Sequence, residues 1–135
     1  MSSSTFYRIA AVLLLIFAVG HTLGFRSIPP EWKADSVVAA MRSVHFDVGG
    51  FSRSYWDFFT GLGLFVAILQ LLAAVVAWQL AGLGKETLRL LPLLRWSFAT
   101  CFVGASVVSW MYVSVVPFIF SLLIAICLTL ATWLV

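Results

Sequence analysis

WSFATCFVGASVVSWMYVSVVPFIFSLLIAICLTLATWLV, residues 96–135, holds no Asp, Glu, Lys or Arg. A helix that crosses a bilayer needs about 20 predominantly apolar residues, so this run is long enough for two crossings. Two further runs share its character. From Ile9 to Phe25 the one strongly polar side chain is His21, and from Phe58 to Leu80 only Gln70 and Gln79 interrupt. A soluble domain of 135 residues has no interior able to bury 63% apolar content. The sequence reads as a polytopic membrane protein.

Four spans follow, at about 5–25, 55–80, 88–112 and 113–134. Together they predict an all-α integral membrane protein, a four-helix antiparallel bundle forming a single transmembrane domain over residues 1–135. Aromatic rings mark the boundaries, as expected at headgroup depth. Tyr7 opens the first span, Trp56 and Trp78 bracket the second, Trp96 and Trp110 lie near the ends of the third, and Trp133 closes the fourth. Pro117 falls in the first turns of the last span, where a missing backbone donor matters least.

The net charge of +3 comes from residues outside the apolar runs, which makes them topology signals rather than a nucleic-acid footprint. Arg8 and the apolar core after it imitate a signal peptide, but the first run is read as a true span. An even number of spans puts both termini on one side. The short basic connection Lys85, Glu86, Arg89 and Arg95 favours the cytoplasm for that side and suits contact with anionic headgroups. Cys101 and Cys127 lie singly inside apolar runs and read as small packing residues rather than a redox pair.

Only the first connection, Arg26–Ser54, is sizeable. Pro29-Pro30-Glu31 is a helix-start signal. After it Ala34, Val37, Val38, Met41, Val44 and His45 share one face, opposite Lys33, Ser36 and Arg42. This predicts an amphipathic helix over about 30–45, lying at the interface as a lid, ended by Gly49-Gly50. Small-residue stripes on every span predict close helix packing. They are Gly20 and Gly24, Gly61 and Gly63, Ser97-Cys101-Ala105-Ser109, and Ser121-Ala125-Thr129. Gln70, the strong hydrogen-bonding group of the second span, is expected to reach Thr100, Ser106 or Ser121 on a neighbouring helix.

Ionisable residues gather at one end of the first two spans. His21 lies near the end of the first, with Arg26 just beyond, while His45, Asp47, Arg53 and Asp57 run into the second. Such groups at a membrane are functional-site candidates because desolvating them unpaired is costly. Arg53 and Asp57 are four apart and would pair on one helix face. Four roles are open for the cluster. It can ligate a divalent metal, although its spacing matches no dense metal motif and no metal or cofactor is expected. It can run a proton relay with His21 titrating beside Asp57, recognise a polar headgroup through Arg26, Arg53, His21 and Asp57, or form a salt-bridged mouth that only fixes helix ends.

The stretches Gly20-His21-Thr22-Leu23-Gly24, Met41-Arg42 and Phe46 through Gly63 resemble a group of uncharacterised small bacterial four-span membrane proteins. In that group a Gly-His-Thr-x-Gly element precedes an Arg-Ser-x-Trp-Asp-Phe element. Length and span count are loosely similar to DoxX-like membrane proteins. The resemblance implies a multi-pass protein of the bacterial inner membrane and draws attention to His21, Arg53 and Asp57. It implies no reaction.

The leading expectation is binding of a lipid or small amphiphile beneath the first-loop helix, with His21, Arg26, His45, Asp47, Arg53 and Asp57 as its residues. A small transporter and a membrane enzyme using His21 and Asp57 are the alternatives. The partners expected are membrane lipids and a second copy of the chain in a homodimer, and no nucleic acid.

Overall fold

The computed structural model describes residues 2–135. Four helices are long and apolar enough to cross a membrane: α1 (Ser3–Gly24), α3 (Tyr55–Gly82), α5 (Pro92–Tyr112) and α6 (Val115–Trp133). The chain is a multi-pass membrane protein, mostly helical. Between α1 and α3 come a 3-10 turn (Pro30–Trp32), a short helix α2 (Asp35–Ser43) and two strands, β1 (His45–Val48) and β2 (Phe51–Ser54). A one-turn helix α4 (Lys85–Arg89) precedes α5. The chain divides into two compact units. One joins α1 up to Phe17 with everything from Gln70 onward, and the other is Ala18–Leu69.

The core of the first unit is built mainly from alanine. Tyr7, Ala10, Ala11 and Leu14 repeat at helical spacing on α1, and Ala74, Ala77 and Ala81 do so on α3, together with Leu80, Ala99, Ile124, Leu128 and Ala131. Side chains this small let backbones approach, and close dispersion contact holds helices together where the surroundings are as apolar as the core. Many of the large apolar side chains of α1 and α3, among them Leu15, Ile16, Val19, Phe65, Leu69 and Leu72, are exposed instead.

Helices α5 and α6 form a hairpin joined by Val113 and Ser114. Arg95 near the start of one meets Thr132 near the end of the other, and Trp110 and Phe118 lie 5.0 Å apart at the closed end. The stripe expected on α6 is inside at Ser121 and Ala125. On α5 it is only half right: the buried residues are Arg95, Ala99, Ser106 and Ser109, while Ser97 and Cys101 line an open groove with Trp96 and Thr100. Gln70 does not find the partner expected of it. Its Oε1 is buried without a hydrogen bond among the described residues, while Thr100 and Ser106 donate to Trp96 O and Val103 O within their own helix.

The third span begins at Pro92, four residues later than read from hydropathy. Proline has no N–H to give the carbonyl of Leu88 and its ring crowds that oxygen, so α4 ends and α5 starts with Pro92 in its first turn. The freed carbonyl of Leu88 accepts from Arg95 Nη1 at 2.6 Å, and Arg95 Nη2 donates to Thr132 O at 2.7 Å. Arg95 is 6% exposed. The expected role of Arg95 as a headgroup-facing cation is therefore wrong, since the helical phase set by Pro92 turns it inward.

Arg95 is one member of a clamp on the end of α6. Ser3 donates to Ala131 O (2.7 Å), Lys85 to Leu134 O (3.4 Å) and Arg89 to Val135 O (3.2 Å), and Ser4 does the same for Ala81 O at the end of α3 (2.6 Å). Helix C-termini leave their last carbonyls without intrahelical donors and carry a partial negative charge. Here side chains of α1, α4 and α5 supply the donors.

In the second unit the loop helix is shorter than the sequence reading gives. A 3-10 turn occupies Pro30–Trp32, Lys33 takes a left-handed conformation (φ 49°), and α2 covers only Asp35–Ser43. Val44 caps α2 and His45 belongs to β1. The glycines end a strand and not the helix, which has stopped at Ser43. Gly49 (φ 59°) and Gly50 (φ 87°) form a two-residue turn with both angles positive, the geometry that matches strand twist in a tight hairpin. His45 pairs with Ser54 and Val48 with Phe51, and Asp47 Oδ1 accepts the Gly50 N–H at 3.0 Å. Gly50→Val should therefore open the hairpin, at about 1–3 kcal/mol for the forced left-handed backbone, whereas Gly49→Asn should be tolerated. Amide exchange at Phe46 and Arg53 would report the difference.

Candidate functional site

All six residues expected at a site lie in the second unit, and their bonds run in separate directions. His21 Nε2 lies 3.0 Å from Gly63 O. A carbonyl oxygen only accepts, so this nitrogen carries the proton. The imidazole stacks on Phe25 with centroids 5.1 Å apart, and the Arg26 guanidinium covers the same ring at 5.3 Å. His45 is exposed on β1 with Nδ1 donating to Ser43 O at 3.0 Å. Asp47 holds the hairpin turn.

Arg53 and Asp57 do not form the expected pair. Helix α3 starts at Tyr55, so Arg53 is a strand residue and shares no helix face with Asp57. Its Nη1 donates to Ser52 O (3.0 Å) and its Cζ lies 5.2 Å from the centroid of the Phe51 ring. Asp57 instead closes a capping box: Oδ2 accepts from Ser54 N (2.8 Å) and Ser54 Oγ (3.0 Å), while Ser54 Oγ accepts from Asp57 N (3.3 Å). That reciprocal pattern fixes where the strand becomes helix.

Of the glycines expected to allow close packing on the first two spans, Gly63 is the one with a neighbour against it. A Cβ added at Gly24 or Gly61 would meet nothing, whereas one at Gly63 would overlap the Phe25 ring. Glycine here lets Phe25 lie flat beside α3 and brings His21 onto the backbone carbonyl.

The assembly that results is an aromatic ladder. Phe25 lies 5.8 Å from Phe59, and Phe59 lies 5.4 Å from Trp56. Trp56 carries the Arg42 guanidinium 4.2 Å above its ring. The ladder thus runs from Arg26 and His21 on the end of α1, across the first turns of α3, to Arg42 on α2. Phe46 of β1 forms a second cluster with Tyr55 (5.0 Å) and Phe58 (5.9 Å), which seats the hairpin on the start of α3. Phe59 is 38% exposed, and Trp56, Phe25 and His21 are half-buried, so the ladder presents a surface.

Sequence reasoning missed Arg42, Trp56, Phe59 and Gly63 as members of this group. The signal was available in Gly49-Gly50 between two four-residue runs, which returns α2 to the start of α3 and so sets Arg42 against Trp56. Chemically, Asp57 is committed to Ser54 and Asp47 to the turn, which takes the acids away from a relay. Among the described residues no group of three or more His, Cys, Asp or Glu is placed to hold a metal ion. What the arrangement offers is flat apolar faces edged by N–H donors. No protein-family model, no curated protein and no solved structure matches this chain.

Proposed function

We propose that this protein binds a lipid or other small amphiphile, with the polar end of the ligand on the aromatic ladder of Phe25, Phe59 and Trp56 and its apolar chain along the span. The ladder carries this reading. Membrane-level rings with one apolar face and polar neighbours suit a molecule of the same two-sided character. The reading includes an antiparallel four-helix bundle, α2 lying along the interface as a cover, and a bacterial inner-membrane setting. The amphipathic spacing of α2 and the Arg42–Trp56 stack support the cover.

Mass spectrometry of the intact protein released from detergent is the test. The wild type should retain a bound amphiphile, and the Trp56→Ala/Phe59→Ala double variant should lose it with helix content unchanged. Equal retention by both proteins, or none by either, would remove the proposal.

A further inference from the structure

We infer that the ligand is anionic, and that Arg26 and Arg42 read its charge; this rests on the amphiphile-binding role just proposed. The observation is how these two guanidiniums are held. Each lies over a ring, Arg26 on Phe25 and Arg42 on Trp56, and neither makes a hydrogen bond or an ion pair among the described residues. A cation–π contact takes up none of the guanidinium's N–H donors, so a guanidinium held at a ring still has its fork to offer to a phosphate or carboxylate.

None of the acids of the same unit forms an ion pair with Arg26 or Arg42 among the described residues. Asp57 accepts from Ser54 and Asp47 from Gly50. Glu31 and Asp35 are exposed, and the ion pair found among the described residues, Arg89–Glu86, lies in α4. Arg53 is partly engaged through Ser52 and stands in a supporting place on the hairpin.

Two stacked cations at opposite ends of one ladder, beside the ends of two candidate spans, sit where lipid headgroups lie. The occupant is accordingly an anionic lipid headgroup rather than a free anion. A lysine would not serve equally, since its ammonium neither stacks flat nor presents a planar fork.

The experiment measures binding of phosphatidylglycerol and phosphatidylcholine with identical acyl chains to the full chain in detergent micelles, by quenching of tryptophan fluorescence with brominated lipid. Wild type should prefer phosphatidylglycerol by about tenfold or more. Arg26→Gln/Arg42→Gln should abolish the preference while phosphatidylcholine binding persists. Lys33→Gln, which removes a charge from the same loop, should leave the preference intact. An excess of inorganic phosphate should not compete.

Equal binding of the two lipids, still dependent on Trp56 and Phe59, would overturn the charge inference and spare the amphiphile reading. Binding of neither would overturn that reading itself. A loss with Lys33→Gln as large as with the arginine variants would replace a built site by diffuse charge. Full competition by phosphate would overturn the lipid as the source of the anion.

Discussion

Arg95→Met should destabilise the first unit by about 3 kcal/mol. The substitution keeps an unbranched apolar stem but removes two charge-assisted hydrogen bonds of 2.6 and 2.7 Å. It takes the side-chain donor from the Thr132 carbonyl and leaves the Leu88 carbonyl only the Leu91 N–H. Each such bond contributes about 1.5–3 kcal/mol. Relief of the buried charge opposes the loss, because Arg95 has no carboxylate partner and its Nε is buried without an acceptor. Arg95→Lys should fall between, since lysine is shorter and gives its donors from a single nitrogen rather than from a fork. Thermal unfolding in detergent, followed by helix content, measures the series. A methionine variant as stable as wild type would show that the desolvation of the guanidinium cancels the whole clamp.

At Gly63 the expected loss falls on the site and spares the fold. Gly63→Ala puts a methyl group where the Phe25 ring lies, and that ring must swing away. Overpacking costs about 1–3 kcal/mol, but alanine in a helix interior recovers about 1 kcal/mol of propensity over glycine. Global stability should therefore change little. Phe25 leaves His21 and Phe59, the ladder is broken at its first rung, and Arg26 loses the surface that orients it. Retention of the bound amphiphile should fall as far as in the Trp56/Phe59 variant. A nitrogen-15 spectrum of His21 would show the altered imidazole directly. Unchanged retention in Gly63→Ala would mean that Phe25 takes no part in binding.

These residues show where sequence reading succeeds and where it fails. The spans were legible because twenty apolar residues in a row have no other use, and α3 begins at Tyr55 as read. The start of α5 was not, because hydropathy averages across Leu88–Leu91 and does not notice that Pro92 resets the helical phase. That same reset decides that Arg95 points inward. Counted by position it looked like one more basic residue in a connection.

The loop was misjudged for a related reason. A helical repeat from Ala34 to His45 is real up to Ser43, but the alternation that follows has period two, and a pair of glycines between two such runs marks a hairpin. The site followed that error. His21 and Arg26 were found from their depth, since charge near a span is rare. Arg42, Trp56 and Phe59 meet only after the hairpin folds back. The expected Arg53–Asp57 pair assumed a helix two residues longer than the Ser54 cap permits.

The clamp at the end of α6 also bears on how the protein comes apart. Helix ends ordinarily fray first, because their terminal carbonyls have nothing to lose. In α6 the last oxygens are tied to Ser3, Arg95, Lys85 and Arg89, so opening that end means breaking bonds to three other helices together. The junction at Val113 and Ser114 has no side-chain cap and makes the weaker seam. Rupture of this helix should thus begin at the turn from which it starts and travel toward Trp133, a direction opposite to the one its place in the chain would suggest.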